Sequence, residues 1–486
     1  MKKISIQRLA VLPLALGLFF TSCKRYSSDF GDTNVNPGVT SSPLFNALMT
    51  NVQVATVGYS TITRGGLYCQ YFSETQYTDV SLYSLPQINF EPNYSGVLND
   101  CQNIINNGPN DNMKAVARIL KSHIFAIVTD QWGDVPYSQS LQGNGTPVFD
   151  KQADIYPALL NELTAAVNQL NAGGGAISGD IIFGGNITKW KKVANSLRIR
   201  LSLQLSKKYP AAGGFAAAQF NAALNHPDGI ITSNADNMTV TYPGGNFSSP
   251  WWNLYNGRRD FGESAPMTTL MSGLGDARQS AFGGKTEDQS TSNADWNQPS
   301  SLGVPYGRLR NFVDPWTSAN PTWARILRGD LRTQTGSVTI ISAAEMYLAR
   351  AEAADRGWTT ENMNSMYQQG IIASHAQWGV AAPGAGYFTQ PSVALANPAG
   401  TGANIRNIAI QEYIASYPDG QRGWSLWRRT GWPVLTPAPD ATNSTRQIPR
   451  RYTYGQQTYG SNTDNTNAAA TAIGGDNQDT KVWWDQ

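Results

Sequence analysis

The sequence predicts a mostly α-helical protein, in which tetratricopeptide-like helix hairpins support long irregular, aromatic-rich loops with a few short strands. Three observations lead there. Apolar residues recur at helical spacing in successive stretches. Several of these stretches carry small residues where a second helix could approach closely, as with Ala349, Ala351, Ala353 and Ala354. Residues 209–341 break the pattern with Gly, Asn, Ser, Pro and aromatic side chains, and loops that long in a compact protein are functional or disordered. Disordered chain is poor in aromatics, so these loops read as ordered.

The elements follow in order. Lys2, Lys3 and Arg8 precede an apolar run over residues 9–20, then Thr21, Ser22 and Cys23. This is the layout of a secretory signal, and the run falls short of the roughly 20 residues a membrane-spanning helix needs. Small residues before a Cys resemble a bacterial lipobox; an ordinary signal with an incidental Cys is the alternative. The expected organisation is a signal peptide over 1–22, a lipidated Cys23 with a flexible tether over 23–38, and a single domain over 39–486. Helical signals begin near residue 42. Ala115, Val116, Ile119, Leu120, Ile124, Ile127 and Val128 make one apolar face over 112–130. Ile155, Tyr156, Leu159, Leu160, Leu163, Ala166, Val167 and Leu170 repeat it over 152–170, where the Gly173–Gly175 run supplies permissive backbone for the exit. A third helix is expected over 188–207 with Thr188 as N-cap and a stripe of Trp190, Val193, Ala194, Leu197, Leu201 and Leu205. Ser342 and Glu345 form a capping-box pattern at the head of a fourth over 342–356. Two more cover about 361–377 and about 404–416. No clean 34-residue period stands out, so the repeat reading rests on pattern. Inside the loop-rich region, 238–242 and 336–341 read as short strands.

Composition excludes several functions. The formal net charge is +2, with 36 basic and 34 acidic residues, and no basic block appears, which argues against nucleic acid as a partner. The three histidines, His123, His226 and His375, are far apart, so a histidine-rich metal site is not expected, and His123 beside an apolar face reads as a satisfied core residue. Besides Cys23 there are only Cys69 and Cys101, which could form a disulfide or stay as buried thiols. Neither G-x-S-x-G nor H-E-x-x-H occurs, and no dinucleotide fingerprint follows a strand. Catalytic residues are therefore not assigned. A glycosidase needs only two carboxylates, so a surface glycan-degrading enzyme remains an alternative, as does a structural adhesion lipoprotein. No cofactor is expected. The Asn/Asp-rich stretches 234–237 and 462–467 could offer oxygens to calcium, but neither fits an EF-hand and solvated turns explain them.

What the composition favours is stacking chemistry, with 14 Trp and 21 Tyr. Sugar C–H faces stack on such rings, and Asn, Asp, Gln and Arg bond the hydroxyls. Residues 248–260 offer both types together through Trp251, Trp252, Tyr255 and Arg258. Trp296, Tyr306, Trp316 and Trp323 lie in the same loop-rich region, and part of this set is expected to line a ligand platform. Trp132, Trp424, Trp427, Trp432, Trp483 and Trp484 are expected to be structural.

Read in order, several phrases resemble the SusD/RagB family of nutrient-binding outer-membrane lipoproteins of Bacteroidetes. They are DQWGDVPY at 130–137, WKKVANSLR at 190–198, EMYLARAE at 345–352, GWSLWRRTG at 423–431, IPRR at 448–451 and the terminal WWD at 483–485. The resemblance spans nearly the whole chain from Cys23, and is nearest to the subgroup with DQWGDVPY and a terminal WWD. It implies four tetratricopeptide-like hairpins, a lipid anchor at Cys23 on the outer face of the outer membrane, and a SusC-like TonB-dependent transporter as partner. It also implies capture of an oligosaccharide or other nutrient without catalysis.

Overall fold

Each apolar stripe of the sequence becomes a helix packed on its neighbour. The computed structural model describes residues 44–486; the signal layout, Cys23 and the tether lie outside the described residues. The longer helices are α1 (Phe45–Thr61), α2 (Thr63–Tyr68), α3 (Asn99–Asn107), α4 (Asp111–Trp132), α5 (Gln152–Gln169), α6 (Ile187–Gln204), α7 (Phe215–Leu224), α8 (Ala265–Leu274), α9 (Arg310–Ala319), α10 (Ala343–Asp355), α11 (Met363–Gln377), α12 (Ile405–Ser416), α13 (Gly420–Thr430) and α14 (Thr463–Ala472). α4 packs on α5, α6 on α7, α10 on α11 and α12 on α13, and these pairs join through α5–α6, α6–α10 and α10–α12. Residues 45–486 form one compact unit.

The helix starts are set by side-chain caps. Asn110 accepts from Met113 N (2.9 Å), Asn362 from Ser365 N (2.9 Å) and Asp419 from Arg422 N (2.9 Å). Two expectations need correction. The cap of α6 is Asn186, which accepts from Lys189 N at 3.1 Å, and not Thr188. Ser342 does cap α10 by accepting from Glu345 N (3.1 Å), but the Glu345 carboxylate turns away to ion-pair with Arg200 and Arg422, so the box is not reciprocal. At the exit of α5 the left-handed residue is Gly175, at φ +90°.

The predicted stripes are buried, from Ala115 and Ile119 in α4 to Trp190 and Leu201 in α6, with Leu205 just past its end, and the alanines of α10. Small residues bring backbones into contact elsewhere too. α2 meets α13 so closely that a Cβ on Gly420 would lie 2.1 Å from Gly66 N. Charge is also buried, in pairs: Arg429 bonds Glu352 and Glu412, and Arg278 bonds Asp276 at 2.6 Å. The C-terminus is sewn in by Trp484, whose Nε1 donates to Asp130 (2.8 Å), and by Asp485, which pairs with Lys207 (2.7 Å) and Arg450 (2.6 Å). Trp424 lies stacked on Tyr452, with ring centroids 5.3 Å apart, and Trp132 donates to Ile88 O (3.0 Å), both in structural roles.

The strands are short and paired in twos. β1 (Phe72–Glu74) runs antiparallel to β4 (Phe261–Glu263), β2 (Gln87–Ile88) parallel to β8 (Thr453–Tyr454), β3 (Met238–Val240) antiparallel to β7 (Val338–Ile341) and β5 (Gly283–Gly284) antiparallel to β6 (Arg325–Ile326). The two strands expected from sequence are thus each other's partners, and they close the loop-rich region at its base. Within 209–341 the irregular reading was too broad, because α7, α8 and α9 all lie there. Residues 463–467 open α14 and are not a turn. Cys69 and Cys101 are both buried free thiols, not a disulfide. His123 is buried as expected, but its Nε2 finds no hydrogen-bond partner among the described residues, and burial pulls its pKa down to about 3.

Candidate functional site

The β1–β4 pairing brings two loops from distant parts of the chain together. Phe72 faces Glu263 and Glu74 faces Phe261, and Thr75 N continues the ladder to Asp260 O at 2.8 Å. Residues 76–77 therefore leave the sheet beside residues 257–260. A third loop, 287–289, joins them through Gln289, whose Nε2 donates to Trp252 O at 2.6 Å. Gln76, Tyr77, Tyr255, Arg258, Asp260 and Gln289 are among the residues lining the resulting open groove of about 610 Å³.

Tyr77 is the ring that this groove presents, with 60% of its surface exposed. Arg258 and Arg310 flank it, their guanidinium carbons 5.8 and 5.9 Å from the ring centroid. Both arginines are held: Arg258 donates Nε to Asp260 (2.6 Å), and Arg310 to Gln76 Oε1 (3.2 Å). Gln76 in turn donates to Asp314 of α9 at 3.2 Å. The loop bearing Tyr77 is anchored from beneath by Glu74, which accepts from Ser81 N and Oγ at 2.8 Å each. Burial still raises the Glu74 carboxyl to about 7. Asp288 is fixed by Ser290 N (2.9 Å) and Asn293 Nδ2 (2.7 Å), and Glu287 pairs with Arg325. An exposed ring among amides, guanidiniums and carboxylates is suited to a polar ligand with one apolar face. Such a ligand stacks on the ring while its hydroxyls exchange hydrogen bonds at the rim.

The aromatic residues singled out from sequence are distributed differently from that expectation. Tyr255 is buried under Arg332, 4.5 Å from its guanidinium carbon; its hydroxyl donates to Phe261 O (2.9 Å) and accepts from Ile326 N (2.7 Å). Trp323 is buried beneath Arg325 at 3.6 Å, and Trp296 lies beside Arg332 at 5.3 Å. Tyr306 is buried, donating to Leu67 O at 2.7 Å. Trp251 is buried edge-on to Phe72, and it also lines an inner cavity separate from the groove. Trp252 is half-buried against Trp296, Trp316 is half-buried on α9, and Arg258 is exposed. The groove thus unites Arg258 and the edge of Tyr255, with Trp252 behind it. It adds Tyr77, Gln76 and Gln289, which sequence reading passed over: a Tyr in the stretch 73–78 carries no local mark, and only the register with β4 gives it a role.

Among the described residues no group of three or more His, Cys, Asp or Glu side chains could hold an ion. In the stretch 234–237, Asp236 pairs with Lys192 (2.7 Å) and Asn237 Oδ1 accepts from Ala343 N (2.8 Å). Among the described residues no helix is long and apolar enough to cross a membrane.

A helical-hairpin scaffold that displays an aromatic and polar groove defines a ligand-binding protein of the tetratricopeptide-like class. The comparisons make this specific. Residues 34–455 match the SusD-like family described as starch-binding and associating with the outer membrane, and the chain belongs to that family. The family is one of binding proteins, and the chain is not an enzyme. Similar solved structures include a chitin-binding protein (28% identity, 91% of this chain and 99% of that one, TM-score 0.75). A SusD homologue from Bacteroides uniformis matches with 27% identity, the same coverages and the same TM-score. A chitin-binding SusD homologue from Flavobacterium johnsoniae (24% identity, 91% and 98% coverage, TM-score 0.77) shares the fold. No curated protein matches the sequence.

Proposed function

We propose that this protein is a cell-surface glycan-capture lipoprotein, anchored by lipid at Cys23 to the outer face of the outer membrane. In this reading it delivers oligosaccharide to a SusC-like TonB-dependent transporter. Family membership supports the location and the class of ligand, and the similarity to a chitin-binding protein favours β-linked N-acetylglucosamine oligomers. The observation that carries the site is Tyr77, an exposed ring held between two arginines in a groove rimmed with amides and carboxylates.

The test is isothermal titration calorimetry of chito-oligosaccharides and malto-oligosaccharides against the wild-type chain and Tyr77→Ala. Loss of a stacked ring is worth about 1 kcal/mol or slightly more, so the variant should bind about tenfold more weakly with its melting temperature unchanged. Equal affinity in the two proteins would remove the groove from the reading. Absence of glycan binding by the wild type would remove the ligand class. Co-purification of a TonB-dependent channel with the lipidated chain checks the transporter half of the proposal.

A further inference from the structure

A second cavity lies away from the groove and shares no lining residue with it. It measures about 340 Å³ and sits where β7 meets the helical scaffold, between α10, the end of α11 and the α12–α13 turn. That volume falls at the lower end of the roughly 300–1,000 Å³ of small-molecule sites. Trp251, Trp378 and Tyr417 give it aromatic walls, and Arg200, Glu345 and Arg422 line its polar side. Glu345 is already neutralised: Arg200 reaches it with Nε at 2.7 Å and Nη2 at 2.6 Å, and Arg422 lies 3.2 Å away. Asp419 lines the same side, so two guanidiniums face two carboxylates and the polar side asks for no compensating charge.

It does ask for an acceptor. Trp378 Nε1 is buried and finds no hydrogen-bond partner among the described residues, whereas Arg422 Nε already lies against Glu345. Buried donors are ordinarily satisfied, by protein or by something bound. Apolar ring faces beside an unmatched N–H are complementary to a neutral polyhydroxylated molecule: C–H faces meet the rings and a hydroxyl oxygen accepts from the donor.

We propose that this cavity is a second ligand site that takes a single neutral sugar ring. The choice of a sugar rests on the glycan-capture reading; the existence of the site rests on the cavity, its aromatic walls and the orphan donor of Trp378. N-acetylglucosamine and glucose are titrated at millimolar concentrations into the full chain, followed by calorimetry, for wild type, Tyr77→Ala, Trp378→Ala and Trp378→Phe. The expected result is monosaccharide binding that survives Tyr77→Ala, falls about tenfold in Trp378→Ala, and weakens measurably in Trp378→Phe, which keeps a ring but loses the donor. If Trp378→Ala fails to fold, the phenylalanine variant decides alone. Wild type that binds oligosaccharides but neither monosaccharide overturns the second site and leaves the groove standing. Monosaccharide binding abolished by Tyr77→Ala and untouched at Trp378 overturns it as well.

Discussion

Glu263 offers a sharp test of the electrostatics beneath the groove. It lies on β4, one strand from the loop that carries Tyr77, and is fully buried. No arginine or lysine is within ion-pair distance among the described residues; Gln279 Nε2 donates to one oxygen at 2.7 Å and the other has no partner. Burial therefore favours the neutral acid and lifts its pKa from 4.5 to about 8. The folded state holds this proton more tightly than the unfolded state. The associated stability is present in full below pH 4.5 and is lost as pH rises through about 8. At about 1.4 kcal/mol per pH unit, the ceiling of that loss is about 5 kcal/mol. Glu263→Gln keeps the shape and removes the titration. Urea unfolding of both proteins from pH 4.5 to 9 should give stabilities that diverge with pH, the variant gaining on the wild type up to about pH 8 and levelling off beyond it. Parallel curves would refute the reasoning, for they would mean that the carboxyl is ionised at no cost in the folded protein.

Other perturbations probe the frame. Asp485→Ala leaves Lys207 and Arg450 without their shared carboxylate and should cost about 3 kcal/mol in denaturant unfolding; an unchanged midpoint would show that the C-terminal tail is dispensable. Gly420→Ala drives a methyl group to 2.1 Å from Gly66 N and should destabilise by about 3 kcal/mol, because backbone and not a movable side chain is in the way. Cys69 and Cys101 are free, and burial raises both thiols well above their ordinary pKa. They should react with a thiol reagent only on unfolding, and reductant should leave the melting temperature unmoved; reaction at the native-state rate of an exposed thiol would contradict their placement.

The scaffold was legible because hairpin helices bury one stripe each, and a stripe is a one-dimensional pattern. The faces at Ala115–Val128 and Trp190–Leu205 are buried where the spacing put them. Caps were harder, since Asn186 and Thr188 are both competent and the choice turns on where the chain enters α6. α7 and α9 went unread because their neighbourhood is rich in Gly, Pro and aromatics, and that composition hides short helices. The site was least legible. Trp323, Tyr255 and Trp296 have the side chains a sugar platform needs, but here arginines occupy them: Arg325 over Trp323, and Arg332 over Tyr255 and Trp296. A ring's identity says that it will stack and leaves the partner open. Tyr77 reached the groove through a register between segments nearly two hundred residues apart, which no local pattern encodes.

The pairing of β3 with β7 has a consequence for how such a protein can change. The excursion from 241 to 337 departs and returns on adjacent antiparallel strands, further tied by Thr239 with Thr339 (3.0 Å) and Thr241 with Ser337 (2.9 Å). Seen from the helices it is a cartridge on a two-pronged socket. Because the entropy of closing a loop grows only with the logarithm of its length, evolution can lengthen or shorten the cartridge's outer loops at little cost to the frame. β1 clips onto β4 from outside the cartridge, and Tyr306 and Arg278 add bonds to the frame at Leu67 O, Ser374 and Gln411. An engineer transplanting ligand preference between relatives would therefore move 241–337 together with 72–77, two pieces of chain that form one interchangeable part.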